Sequence, residues 1–205
     1  DRTCAATTCP EYRNDAVNIT DYYDPGTNSA LGDDLTLSGS HRRLVYYDIA
    51  VYGGGSGAFN VTVALYTGCP GAGGTLIPGT SSTFTSVPDD DDVYVLSADL
   101  AGAPVTLPNS VWMVATFNRP DAGWVLAGPA ERGSTANLFG QNDPPWGCNF
   151  GLSGLYSGFW ASLQCTPAGG RSGDAAPLEA GEIITTITPL GRTGGALSRP
   201  GMREE

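Results

Sequence analysis

Residues 58–66 read AFNVTVALY, and their alternation decides the fold class. Phe59, Val61, Val63 and Leu65 fall on one side of an extended chain, and Asn60, Thr62, Ala64 and Tyr66 on the other. Successive strand side chains point to opposite faces, so this is the pattern of a half-buried strand. Upstream, residues 43–52 (RLVYYDIAVY) are a longer run dense in β-branched and aromatic residues. GGGSG at 53–57 joins the two as a flexible turn.

Working outward, more short strands appear between turn signals. Residues 82–87 and 93–97 flank the acidic turn Pro88–Asp92, which reads as a solvated hairpin tip. Residues 111–117 (VWMVATF) are almost wholly apolar, the signature of a central strand covered on both faces. Residues 123–128 and 158–165 complete the series, and a short apolar step occurs at 136–139. Trp112 and Trp160 lie in apolar strands and are expected in the core. Residues 24–34 (DPGTNSALGDD) read as a loop, and 16–24 (AVNITDYYD) as a first strand. No stretch keeps a 3.6-residue apolar period without Gly or Pro. Strands recurring at roughly 8–12-residue intervals indicate an all-β antiparallel sandwich, jelly-roll-like in topology.

The chain divides into an N-terminal extension (1–23), a sandwich body (24–165), a Gly/Ala/Pro-rich linker (166–181) and a C-terminal strand with a polar tail (182–205). The linker reads TPAGGRSGDAAPLEAG and the strand EIITTITP. In that strand Ile183 and Ile187 fall on one face and Ile184 on the other. A flexible chain of the linker's length has an end-to-end distance of roughly 20–24 Å. The strand can therefore fold back as an edge of its own sheet, or pair with the open edge of a neighbour. Repeated head to tail, the second arrangement gives a homopolymer rather than a closed ring.

Composition narrows the partners. There are 21 acidic side chains against 10 basic ones, every one of the latter Arg, for a net charge of −11. Nucleic acid and anionic membranes both need Lys or Arg to displace counterions, so neither is expected as a partner. No apolar run is long enough for a membrane-inserted helix. Cys4, Cys9, Cys69, Cys148 and Cys165 lack zinc-site spacing and suit an oxidising compartment. They are expected to form two intrachain disulfides: Cys69–Cys148, and Cys165 with Cys9 or Cys4. An odd thiol is left over, most naturally Cys4 at the terminus. The chain starts at Asp1 without Met, as expected of an exported protein whose leader has been removed.

Residues 32–165 resemble a type of exported bacterial β-sandwich domain of unassigned function, found in secreted and surface proteins. The resemblance rests on GDDLTLSGSHRRLVYYDIAVY, FNVTVALYTGCPGAGG, VWMVATF, DPPWGC and GFWASLQC. It implies a secreted or cell-surface location and sandwich architecture, and it carries over no catalytic residue.

Chemistry-bearing residues are sparse. His41 is the single histidine, in the turn SGSHRR, and reads as a surface side chain. No GxSxG nucleophile motif occurs, and no enzymatic activity is expected. Calcium takes about six to eight oxygen ligands. Asp24, Asp33 and Asp34, with Asn28, form the better candidate loop for such a cation, and no other cofactor is expected. Trp146, in a Pro/Gly loop, and Tyr156 are the candidate carbohydrate contacts; the other reading of Trp146 is a lid on the core beside a Cys148 disulfide. Asn18 and Asn60 each begin an Asn-X-Thr triplet, the glycosylation acceptor pattern. The sequence thus points to a non-enzymatic extracellular subunit that assembles into a fibre or surface layer by strand donation. The alternative is a secreted carbohydrate-binding module supported by calcium.

Overall fold

The computed structural model describes residues 8–15, 21–26, 29–142, 146–152, 156–167 and 183–190. The chain is all-β. In order, the strands are β1 (Cys9–Asn14), β2 (Tyr22–Tyr23), β3 (Ser29–Thr36), β4 (Arg43–Gly53), β5 (Ala58–Tyr66), β6 (Ser82–Pro88), β7 (Asp92–Asp99) and β8 (Val105–Thr106). They continue with β9 (Ser110–Phe117), β10 (Ala122–Ala127), β11 (Leu138–Gln141), β12 (Gly147–Gly151), β13 (Gly158–Phe159), β14 (Ala161–Thr166) and β15 (Ile184–Pro189). One 3-10 turn, Pro70–Ala72, follows β5.

Two antiparallel sheets face each other. The first runs β1-β14-β4-β7, with β10 taking over from β14 along the second half of β4. The second contains the run β3-β9-β5-β6, extended beyond β3 by β11 and β12. Those two four-strand orders, with most connections crossing between sheets, are the eight-strand jelly roll expected from the sequence. Between the sheets Tyr12, Leu31, Leu35, Tyr47, Ile49, Phe59, Leu65, Phe84, Phe117, Trp124 and Phe159 are all essentially inaccessible to solvent. The alternation that opened the sequence reading holds in full: Phe59, Val61, Val63 and Leu65 all belong to this core.

Four expectations are corrected. The N-terminal segment is not merely an extension, because β1 pairs with β14 along its length and Cys9 faces Cys165. Residues 29–34 are not loop but the first part of β3, paired residue for residue with β9. Turn-forming Ser, Gly and Asp are overridden there because Leu31 fills core space and the neighbouring strand supplies the ladder. Residues 158–165 are not one strand. They break at Trp160, whose carbonyl accepts from Ala50 N–H and from the Trp124 indole at 3.0 Å. Lastly, β9 is covered unequally on its two faces: Val111, Met113, Ala115 and Phe117 are core, while on the outer face Val114 is buried but Trp112 and Thr116 are only half-buried. Of the first strand expected over 16–24, Tyr22 and Tyr23 form β2, and 16–20 lie outside the described residues.

Candidate functional site

The eight strands of the jelly roll close the sandwich without β15. In each sheet the last strand of the set, β7 in the first and β6 in the second, is an edge, and the acidic turn carries the chain across from β6 to β7 where the two edges adjoin. β15 lies along β7 in antiparallel register from Ile184 opposite Asp99 to Pro189 opposite Tyr94, and also touches β6. The ladder continues one residue further, where Leu190 N–H donates to Val93 O at 2.9 Å. The faces divide as the alternation predicts. Ile183 and Ile187 pack against the core, with Ile187 opposite the fully buried Leu96, and Ile184 stays 44% exposed. β15 thus covers an edge that would otherwise leave a row of main-chain donors and acceptors open.

The connector before β15 falls at 168–182, outside the described residues. Its attachment points are placed. Thr166 pairs with Arg43 of β4, and Ile184 reaches β4 through Asp99, which pairs with Tyr46. Three strand spacings separate them, about 14 Å across the sheet. The connector spans that distance with chain to spare.

The other sequence candidates find different places. Asp33 does not face a cation loop. Its carboxylate points inward, accepts Phe159 N–H at 2.9 Å, and lies so close to Gly158 that a Cβ there would stand 2.8 Å from Oδ2. Burial pushes its pKa well above the usual carboxylate range, and the Asp34 charge adds to the rise. Asp34 points to the outer face, where both its oxygens accept Ala136 N–H at 3.0 Å and Thr135 Oγ1 donates at 3.2 Å. Burial raises its pKa too. Asp24 lies in the connection after β2, and Asn28 is outside the described residues. Among the described residues no three His, Cys, Asp or Glu side chains gather as a metal ion requires.

The acidic turn is not simply solvated. Asp89 is fully buried, accepts Gly55 N–H at 2.6 Å and pairs with Arg119 at 3.0 Å, and the same guanidinium holds Asp121 at 2.8 Å. The GGGSG segment is therefore more than a flexible link: a Cβ at Gly53 would stand 2.7 Å from Asp89 Oδ1. Asp91, at φ +64°, accepts from Tyr52, and Asp90 from Tyr94 at 2.9 Å. His41 is likewise not a free surface side chain. Its Nδ1 lies 3.6 Å from the buried Glu11 carboxylate, which Arg42 approaches at 3.5 Å from the same turn.

The cysteines follow half of the expectation. Cys69 and Cys148 are joined, with Cα atoms 6.0 Å apart. Cys9 is also disulfide-bonded, to a partner outside the described residues. Among the described residues Cys165 is the free thiol, buried opposite Cys9, so the expected bridge to it is not made. Cys4 lies outside the described residues, as does Asn18; Asn60 is exposed, with its Oδ1 accepting Ser86 N–H at 3.1 Å.

Trp146 and Tyr156 are both partly buried. Tyr156 packs against the core and donates to Asp21. Trp146 rests on the turn after β5, where a Cβ on Gly71 would stand 2.5 Å from its own Cβ, beside the Cys69–Cys148 bridge. What the sequence reading missed is Trp112. The apolar run 111–117 hid it, because an outward Trp among inward aliphatics looks the same as a core Trp. Compared with known proteins, the chain matches no family model, no curated protein and no solved structure.

Proposed function

We propose that this chain is a non-enzymatic, secreted structural subunit that assembles by passing β15 to the β7 edge of a neighbouring copy. One observation carries the reading. β15 is a supernumerary strand on a finished jelly roll, held by a main-chain ladder and two isoleucines to an edge that any other copy also presents. Because donor and acceptor belong to the same sequence, every contact made within one chain can be made between chains. The connector supplies the reach for either. A tether of this length sets an effective concentration of about millimolar for the strand, so dilute protein keeps its own strand and crowded protein exchanges it. Exchange is head to tail and leaves a free donor and a free acceptor at the ends, the condition for an open fibre. The disulfides support an extracellular setting for that fibre.

The test uses the register. Val95 and Thr188 lie directly opposite across β7 and β15, so a Val95→Cys/Thr188→Cys protein records who donates to whom. Oxidised after concentration, it is expected to give a ladder of covalent multimers on a non-reducing gel, with fibres visible by negative stain. Ile183→Asp/Ile187→Asp, or removal of residues 182–205, is expected to leave a soluble body that forms neither. A cross-linked product that remains monomeric at every concentration overturns the proposal.

A further inference from the structure

We propose that the outer face of the second sheet is a stacking site for neutral saccharide rings, with Trp112 and Trp146 as platforms and Asp34 and Tyr66 as the polar rim. The argument begins with register. Trp112 on β9 stands opposite Asp34 on β3 and Tyr66 on β5, and directly opposed residues share a face. This makes a row across three strands: carboxylate, indole, phenol. The next row on the same face is Gly140, Gly32, Val114 and Ala64. It is a low floor, and the Trp112 ring lies on it. Its Cε3 is 3.2 Å from where a Gly32 Cβ would stand, and its Cζ3 2.9 Å from the corresponding point at Gly140.

Trp146 reaches the same spot from a different element. Its Cζ3 is 3.4 Å from that point above Gly140, while its backbone is seated on Gly71 and tied down through Cys148. Two indoles therefore converge above one glycine, one from the sheet and one from a disulfide-anchored loop, and neither is fully buried. Side chains that large are normally spent in the core. Here the glycines seat one indole flat against the sheet, where it stays only half-buried.

The chemistry of the rim selects the occupant. A pyranose offers an apolar C–H face to an indole and hydroxyls around its edge. The Asp34 carboxylate is pinned by Ala136 N–H and Thr135 Oγ1, which fixes its direction and leaves acceptor sites for those hydroxyls. The same carboxylate, in a chain of net charge −11, disfavours phosphate- or sulfate-bearing ligands. The site thus fits uncharged sugar rings and rejects nucleotides and sulfated chains. Tyr156, committed to Asp21 and the core, is not part of it.

The experiment is calorimetric titration of the full chain with xylo-, cello- and chito-oligosaccharides, with heparin as the anionic control. Binding to at least one neutral oligosaccharide is expected with Kd between about 10 μM and 1 mM, and none to heparin. Trp112→Ala and Trp146→Ala are each expected to weaken it about tenfold or more, while Trp112→Phe retains part and Tyr156→Phe leaves it unchanged. Thermal melts check that each variant is folded; if Trp112→Ala is not, the loop variant Trp146→Ala decides. Ile187→Asp, which addresses assembly, is expected to bind as the parent does. Absence of binding across the panel up to about 10 mM, or binding untouched by loss of Trp146, overturns the site.

Discussion

Replacing Cys69 and Cys148 together by Ala tests whether the bridge between them is a global restraint or a local clamp. The two are 79 residues apart, and the loop they close contains β6 to β11. Closing a loop of that size removes denatured-chain entropy worth about 4.5 kcal/mol in the chain-entropy account, and removal of native bridges generally costs about 2–5 kcal/mol. For a domain of this size a loss of that order lowers the melting temperature by roughly 5–15 °C. The assay is urea unfolding at equilibrium, followed by tryptophan fluorescence and far-UV circular dichroism. The expected result is a lower midpoint, coincident in both probes. The slope is expected to rise slightly, because the uncrosslinked denatured state exposes more surface. Substitution is preferable to a reducing agent, which would also open the bridge at Cys9. Suppose instead the midpoint moves by less than about 1 kcal/mol while only the Trp146 signal changes; the bridge would then act only on its own loop, and the entropic reasoning fails.

Two further outcomes follow from buried groups. Asp33 has a folded-state pKa raised by burial, so the folded protein holds its proton more tightly than the unfolded chain. Its stabilising contribution is full below the unfolded carboxylate range and is lost as pH rises through the raised folded value. Urea midpoints should therefore contain a component that falls as pH climbs above about 4, and Asp33→Asn should remove it; an unchanged profile in Asp33→Asn refutes the assignment. The Cys165 thiol is pushed up to about 12, chiefly by burial and secondarily by Glu11, so it is expected to resist iodoacetamide in the native protein and react only on unfolding. Rapid alkylation without denaturant would contradict this.

How much of this was legible beforehand depended on which forces acted locally. β4, β5, β7 and β10 could be read from the chain because each carries its own alternation or apolar run, β5 with one strongly buried face and β10 buried on both. The jelly-roll-like class was expected from strand number and spacing; the strand order itself was not. β3 was illegible because its turn-forming residues extend only when β9 and β11 pair with it on either side. β1 was illegible for a similar reason, its partner β14 lying some 150 residues away. For the candidate sites, the two faces of β15 were readable from Ile183, Ile184 and Ile187 alone. The acidic residues were not. Asp33 and Asp34 are neighbours in sequence yet point to opposite faces, and Asp89 is drawn inside by Arg119 and a glycine turn far along the chain.

The two proposals concern different parts of the sandwich, and that separation bears on what the molecule does as a whole. Strand exchange uses the β7 edge of the first sheet and the seam beside β6. The indole platform uses the outer face of the second sheet around β3, β9 and β11. Pairing β15 with a neighbour therefore engages neither Trp112 nor Trp146. A single site of this kind, with two rings and a short polar rim, binds weakly. Linked copies turn each later contact into an intramolecular one, and avidity can exceed single-site affinity by about 10²–10⁴ without any new contact. In this reading the fibre is what makes a weak saccharide site useful. The supernumerary strand and the outward tryptophan, neither of which the jelly roll needs for its own core, then serve one purpose: holding a surface built of many copies against a polysaccharide.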